Sequence, residues 1–245
     1  DEGMHPYIKD QDQVQGDAYY SMYSSIFSGA RPVASAFSTE HVRNLTKKVR
    51  YLMPDSQTLI VKSVFSLHNT EWIYQKFSPQ VVVLLRHPCS VIHSIHRKWP
   101  GARLKDLLDQ PAFVSDYLSP YLETLKCAET VYEVLAARVA AYYRVILDAC
   151  AIHPSWVVIN HEQLCMDPIG EYRKLYYRLG LEWDGTVEDV INKTNRPKES
   201  DNIAHVNRLS SDEVEKWKRL LTEKEIEEIY RYYSPFDLPC YRTFC

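Results

Sequence analysis

Arg86 and Ser94 are the residues of this chain whose types and spacing best suit anion binding. A guanidinium presents a planar fork of donors that matches a phosphate, and a hydroxyl adds one more hydrogen bond. Their offset of eight residues places Ser94 about two turns into a helix that starts just after Arg86. The pair predicts a site for a terminal phosphate. An alternative stays open, in which Arg86 is a structural residue that caps a helix or pairs with a carboxylate.

The elements that must position these groups are a strand and a helix. Val81–Leu85 is an apolar run rich in β-branched residues, which is typical of a strand buried on both faces. Pro88 suits the first turn of a helix because that position needs no N–H donor. Arg86 would then lie at the carboxyl end of a strand, where open α/β sheets bind ligands and a helix N-terminus attracts anions.

Lys62 interrupts a second apolar run, Thr58–Phe65, which predicts another buried strand within 56–65. Burying an ammonium group is costly unless the group meets an anion. Lys62 is therefore a candidate for charge stabilisation. The alternative is an edge residue whose side chain reaches solvent.

Three segments together resemble sulfotransferases that use 3′-phosphoadenosine 5′-phosphosulfate (PAPS). The order strand, Arg86, x, Pro88, helix, Ser94 is similar to the family's 3′-phosphate-binding segment. Lys62 lies 24 residues before Arg86, a spacing similar to that of the family's catalytic lysine. Trp156–Pro168 resembles the family's strand followed by a "YEDL…P" element, and the next helix is expected to end at Leu179-Gly180-Leu181.

The resemblance implies roles for five residues. Arg86 and Ser94 would hold the 3′-phosphate of PAPS and of the product, adenosine 3′,5′-bisphosphate. His161 stands near the adenine, where the family commonly has tyrosine. Arg208, favoured over Lys198, would add a basic group to the 3′-phosphate. Lys62 would stabilise charge on the departing phosphate during an in-line transfer.

The general base is the least determined group. Cytosolic family members carry a histidine two residues after the lysine, and this chain has Val64 there. Other branches use a glutamate after the phosphosulfate-loop helix, and Glu2 stands in a comparable place. Glu2 as a solvated acid is the alternative, and His68 and His5 are weaker candidates for the base.

The family's Gly/Ser-rich phosphosulfate loop has no counterpart among the seven glycines. The opening Asp1-Glu2-Gly3 resembles the segment that follows that loop, so we expect the N-terminal strand and loop to precede this sequence. A protein that truly lacks the loop is the alternative. Residues 1–245 are expected to form a single domain.

A metal site is a further alternative for His93 and His96, with His87 and Cys89 nearby, but no carboxylate or second cluster completes it. The resemblance implies no metal cofactor.

Composition is ordinary for a soluble protein, with 45% apolar and 25% charged residues. A net charge of −3 gives no reason to expect a nucleic-acid partner. Six cysteines without CxxC spacing favour reduced thiols and a cytoplasmic location, and no apolar run is long enough for a transmembrane segment. The acceptor would be a small molecule, a glycan or a lipid, and the oligomeric state is not constrained.

The alternation of strands and helices predicts an α/β protein with a mainly parallel sheet flanked by helices and a helical C-terminal part. The resemblance narrows this to a P-loop nucleotide-binding-like sulfotransferase fold. Sequence periodicity and caps predict helices at 69–77, 88–99, 103–109 and 119–150, a strand near Trp156, a loop at 192–207, and helices capped by Ser211 and Thr222.

Two alternative functions stay open. A P-loop kinase-like phosphotransferase would need a Walker lysine and a Mg²⁺-binding hydroxyl, and neither is visible. A catalytically inactive module that binds adenosine bisphosphate would keep the Arg86 site without the phosphosulfate loop.

Overall fold

The computed structural model describes residues 7–8, 13–28, 59–64, 66–98, 103–196 and 210–244. The chain divides into two compact units. Unit 1 comprises Asp1–Pro79 with Lys105–Asp116, and unit 2 comprises Gln80–Leu104 with Tyr117–Cys245. The expectation of one domain over 1–245 stays a prediction.

Helices form most of the regular structure in the described residues, and two short strands join them. The strands are β1 Val82–Leu85 and β2 Val157–Asn160. The α-helices are α1 Gln13–Phe27, α2 Thr70–Phe77, α3 Pro88–Lys98, α4 Lys105–Leu108, α5 Pro111–Phe113, α6 Leu122–Lys126, α7 Val131–Ile152, α8 His161–Met166, α9 Pro168–Leu179, α10 Gly185–Thr194, α11 Lys216–Leu220 and α12 Glu223–Tyr233. Short 3₁₀ turns lie at Leu67–Asn69, Ser119–Tyr121, Ser211–Glu213 and Ser234–Phe236, and a π-helical turn lies at Val114–Leu118.

β1 and β2 pair in parallel, with Val82 opposite Val157 and Leu85 opposite Asn160. The α/β class with parallel strands and flanking helices is therefore confirmed. The prediction that the first strand is buried on both faces was wrong. Val83 and Leu85 are buried, but Val82 and Leu84 are 40% and 54% exposed, because no described element covers that side of β1.

The predicted strand at 56–65 is absent from its described part. Residues 59–64 carry no regular structure, Lys62 is exposed, and Ile60 and Val64 are 64% and 59% exposed. A short apolar run alone does not show what covers it. The hydroxyls of Ser63 and Ser66 are hydrogen-bonded to each other at 2.7 Å.

The core of unit 2 lies between α7, α3 and α12, which pack against each other. Ile92 of α3, Leu135 and Ile146 of α7, and Ile229 of α12 are fully buried or nearly so. Full burial of one such side chain stabilises the fold by about 1.5–3 kcal/mol. This packing fixes the direction of α3, and therefore the position of its N-terminus beside Arg86.

The long helix predicted over 119–150 is broken in two. α6 ends at Lys126, and Thr130 starts α7 through a reciprocal capping box with Glu133. The Thr130 side chain accepts the Glu133 N–H, and the Glu133 carboxylate accepts the Thr130 N–H. Apolar periodicity continues across the break, so the capping signal and not the periodicity marks where α7 begins.

The C-terminal elements agree in part with the sequence. α9 ends at Gly180, whose φ of +67° is the left-handed conformation that glycine adopts without strain, and Thr222 with Glu225 forms the expected capping box. The predicted loop at 192–207 begins too early, because α10 continues to Thr194; 197–207 lie outside the described residues. Ser211 was wrongly assigned as a cap, since it lies inside a 3₁₀ turn.

Unit 1 is built on the packing of α1 against α2. Tyr19, Tyr23 and Ile26 of α1 form a buried cluster with Trp72 and Ile73 of α2. These aromatic side chains make up the interior of the unit, as aromatic residues at helical spacing usually do.

Candidate functional site

Arg86 and His161 follow the two paired strands at the same edge of the sheet. Leu85 is opposite Asn160 in the register, so the next residue on each strand leaves the sheet at its carboxyl end. The positive charge of Arg86, together with burial as the larger cause, lowers the pKa of His161. The structure thus brings together two residues that the sequence assigns to one nucleotide.

The backbone of Arg86 is held by Tyr143 of α7. The Tyr143 hydroxyl accepts the Arg86 N–H at 3.2 Å and donates to the Arg86 carbonyl at 2.5 Å. Burial raises the pKa of this phenol, so the hydroxyl is protonated and able to donate at neutral pH. These two hydrogen bonds therefore fix the backbone position of Arg86 at the end of β1.

The side chain of Arg86 is partly buried and has an acidic neighbour. Its Nη2 atom lies 3.8 Å from Oε2 of Glu213, and its Nε atom is buried with no hydrogen-bond partner among the described residues. The carboxylate contact agrees with the structural alternative for Arg86. The unsatisfied Nε shows that Glu213 does not engage the whole guanidinium.

Two side chains accept hydrogen bonds from backbone N–H groups at the N-terminus of α3. The His87 N–H donates to Oε1 of Glu162 at 2.8 Å, and the His87 Nδ1 atom accepts the Cys89 N–H at 3.3 Å. A carboxylate at this position is favourable because the helix N-terminus carries partial positive charge. Nδ1 can accept only when unprotonated, so His87 is neutral with its proton on Nε2.

Aromatic rings enclose His87. The imidazole stacks on Trp217 with centroids 4.3 Å apart, and Phe244 lies 4.9 Å away. Burial lowers the pKa of His87 to about 4; the negative charge of Glu162 opposes this and the positive charge of Lys218 adds to it.

The C-terminal segment reaches the same site through Tyr241. Its hydroxyl donates to Oε2 of Glu162 at 2.6 Å, so Glu162 joins Tyr241 to the start of α3. Burial and the Glu162 carboxylate raise the pKa of Tyr241. Tyr241 also has a φ of +55°. This conformation costs a non-glycine residue about 1–3 kcal/mol and persists only where the surrounding structure fixes it.

Cys165 lies beside His161 one helical turn later, with its sulfur 3.5 Å from the His161 Nδ1 atom. Burial raises the pKa of Cys165, so the thiol stays protonated. A reactive cysteine needs a lowered pKa, which argues against thiol chemistry here.

The other predicted site residues lie elsewhere or outside the described residues. Ser94 is half-buried on α3, and no hydrogen bond joins it to Arg86 in the described part of the chain. Lys62 belongs to unit 1, as does His68, which is 4% exposed and meets the ring of Phe113 edge-on at 6.1 Å. Burial of this kind gives an acceptor little access to His68. The remaining assignments lie outside the described residues, namely Glu2, His5, Lys198 and Arg208.

Several residues of the site could not be found from the sequence. Tyr143, Glu213 and Tyr241 reach Arg86 or Glu162 from distant points of the chain, and no local pattern marks them. Glu162 had a partial signal, since it lies two residues after β2, at the sheet edge where α3 begins, and a carboxylate is favourable near a helix N-terminus.

Within the described ranges, no group of three or more histidine, cysteine, aspartate or glutamate side chains is arranged to hold a metal ion. The cysteines at positions 89, 127, 150, 165 and 240 are free thiols. None of the helices described is long and apolar enough to cross a membrane. Comparison with protein-family models, curated proteins and solved structures finds no match for this chain.

Replacing Tyr143 with phenylalanine should destabilise unit 2 by about 1–3 kcal/mol, because two partly buried backbone groups of Arg86 lose their partner. Chemical denaturation of the variant and the wild type measures the difference. Tyr177→Phe removes a hydroxyl from a side chain that is 86% exposed and should change stability by less than about 0.5 kcal/mol. Equal stability of the two variants would show that Tyr143 does not hold Arg86.

Proposed function

We propose that the protein is a PAPS-dependent sulfotransferase with a P-loop nucleotide-binding-like fold. The observation that carries the proposal is the meeting of Arg86 and His161 at the carboxyl edge of two parallel strands. Ligands of open α/β sheets bind at this edge. An arginine at the start of a helix and an aromatic ring one strand away suit a phosphate and a purine on one nucleotide.

In this proposal the 3′-phosphate binds the guanidinium of Arg86. Its Nε donor is buried and unused among the described residues, so an entering anion would satisfy it. The neutral His161 ring would lie against the adenine, because its lowered pKa keeps it uncharged at neutral pH. The resemblance adds Ser94 and Arg208 as further groups for the 3′-phosphate, Lys62 as the group that stabilises charge on the departing phosphate, and Glu2 as the base.

The sulfuryl group would pass from PAPS to a hydroxyl or amine of a small-molecule, glycan or lipid acceptor. The bond between the sulfur and the bridging phosphate oxygen breaks as the acceptor forms a new bond to sulfur. The base takes the acceptor proton, and adenosine 3′,5′-bisphosphate leaves. Positioning and charge stabilisation supply most of the catalysis in such a displacement.

Arg86→Ala should weaken binding of adenosine 3′,5′-bisphosphate by roughly 1.5–3 kcal/mol, the usual cost of losing a hydrogen bond to a charged group. Isothermal titration calorimetry of the bisphosphate and of AMP provides the measurement. The wild type should prefer the bisphosphate, and Arg86→Ala should lose most of that preference.

Arg178→Ala is the matched control, because Arg178 is exposed on α9 and the substitution removes the same charge. It should leave both affinities unchanged. Equal wild-type affinity for the bisphosphate and AMP would contradict the proposal, since the 3′-phosphate is the group that distinguishes them.

A further inference from the structure

Glu213 places a carboxylate next to Arg86, the proposed ligand of the phosphate, with Oε2 3.8 Å from Nη2. It ends the 3₁₀ turn Ser211–Glu213, which packs against α8, the helix that begins with His161. Its carboxylate side chain is 18% exposed and faces the 30% exposed side chain of Arg86. Its negative charge also acts on His161, opposing the lowering of that pKa.

The contact between Glu213 and Arg86 is incomplete. The 3.8 Å between Nη2 and Oε2 is longer than a hydrogen bond, and the second donor of the fork, Nε, is not engaged by Glu213. A bidentate arginine–carboxylate pair would use both donors at about 2.7–2.9 Å. Arg86 therefore keeps donors for a better-placed anion.

Glu213 has a second cationic partner. Its Oε1 atom accepts a hydrogen bond from Nζ of Lys216 at 2.9 Å. Because Lys216 holds the carboxylate independently, Glu213 can leave Arg86 without losing all of its charge compensation. The carboxylate thus bridges two cations, and one of them is the proposed ligand of the phosphate.

We propose that Glu213 is an internal competitor that occupies the anion position on Arg86 and sets the affinity of that site. The proposal rests on the proposed function. An entering phosphate displaces the carboxylate, which remains on Lys216. The negative charge of Glu213 near the bound phosphate costs binding free energy, since like charges placed together are repulsive. Release of the product is favoured, because the Glu213 carboxylate then returns to Arg86.

The test is Glu213→Gln, which keeps the side-chain shape and removes the charge. Its affinity for adenosine 3′,5′-bisphosphate should rise roughly 5- to 30-fold in calorimetry, as expected when a close like charge is removed. Glu215→Gln is the matched control. Glu215 lies two residues away and pairs with Lys218 at 2.8 Å, so the charge change is the same and Arg86 is not involved. Its affinity should stay within about twofold of the wild type.

A double variant tests whether Glu213 competes with the bound anion for Arg86 or only supports the Arg86 side chain. If Glu213 acts through Arg86, adding Arg86→Ala to Glu213→Gln should remove the gain in affinity, as a double-mutant cycle would show. Thermal unfolding of each variant checks that the fold is retained. A Glu213→Gln variant that binds the bisphosphate equally or more weakly overturns the inference, because Glu213 would then only support Arg86.

Pyrophosphate is the second probe, because it tests the anion position without adenosine. Glu213→Gln should bind pyrophosphate more tightly than the wild type does, and the gain should vanish in the double variant. If the gain for pyrophosphate is present while no protein binds the bisphosphate, the proposed function fails and the role of Glu213 stands. No gain for either probe overturns the role of Glu213.

Discussion

Lys62→Ala should lower kcat for sulfuryl transfer roughly 100- to 1,000-fold, the usual cost of removing one group that stabilises charge in a transition state. The Kd for the donor should change little, because the lysine interaction strengthens mainly as the phosphate departs. The measurement is transfer of label from PAPS to a panel of hydroxyl acceptors, at saturating donor, with donor affinity determined separately.

Lys76→Ala is the control for this experiment. Lys76 is also an exposed lysine of unit 1 and lies on α2, so its loss removes the same charge at a residue with no proposed role in the transfer. Its kcat should remain near the wild-type value. A Lys62→Ala variant with weakened donor binding and a normal kcat at saturation would show that Lys62 binds the donor without aiding the chemistry.

The same assay separates an enzyme from a binding module. The exposure of Lys62 outside any strand is unlike the buried strand position that the sequence predicts. Absence of transfer by the wild type, together with specific binding of the bisphosphate, would assign the chain to a catalytically inactive binding module. Transfer that depends on Lys62 would exclude that assignment.

Local signals in the sequence predicted the start of α3 and the ends of several helices correctly. Pro88 begins α3, Gly180 ends α9 and Thr222 caps α12, because each of these features depends on residues within one or two turns. Such features need no knowledge of the rest of the chain. The strand before Pro88 was also predicted, but a similar apolar run near Lys62 forms no strand in its described part, so such a run is a weaker signal.

Features that depend on distant residues could not be predicted. The exposed side of β1 depends on which elements cover it, and the missing strand near Lys62 depends on a pairing partner. Tyr143 lies 57 positions after Arg86 and Tyr241 lies 79 positions after Glu162, yet both make hydrogen bonds in the site. Only the packing of α7 and the course of the C-terminal segment determine such pairs.

Acid should destabilise the protein through His87, whose pKa is lowered to about 4 in the folded state. In the unfolded chain the imidazole titrates near 6.5, so between these values the unfolded state binds more protons than the folded state. Stability therefore rises with pH in this window. The contribution is complete above about pH 6.5 and is lost as the pH falls toward 4, by about 3 kcal/mol at about 1.4 kcal/mol per pH unit.

The physical cause is the closed environment of the ring. Protonation at Nδ1 would remove the acceptor for the Cys89 N–H and place a positive charge on a buried ring near Lys218, with Glu162 as its partial compensation. The measurement is the free energy of unfolding in urea from pH 7.5 to 4. His87→Gln, which cannot be protonated, should show a shallower loss of stability on acidification than the wild type.

Tyr143→Phe is the control for this comparison, because it is expected to be destabilised while the imidazole of His87 is retained. Its stability should fall with pH as steeply as that of the wild type, although from a lower starting value. Parallel curves for the wild type and His87→Gln would contradict the assignment, since the acid sensitivity would then come from other groups. A shallower slope in His87→Gln alone would show that the imidazole at the start of α3, neutral in the folded protein, is the source of the acid sensitivity.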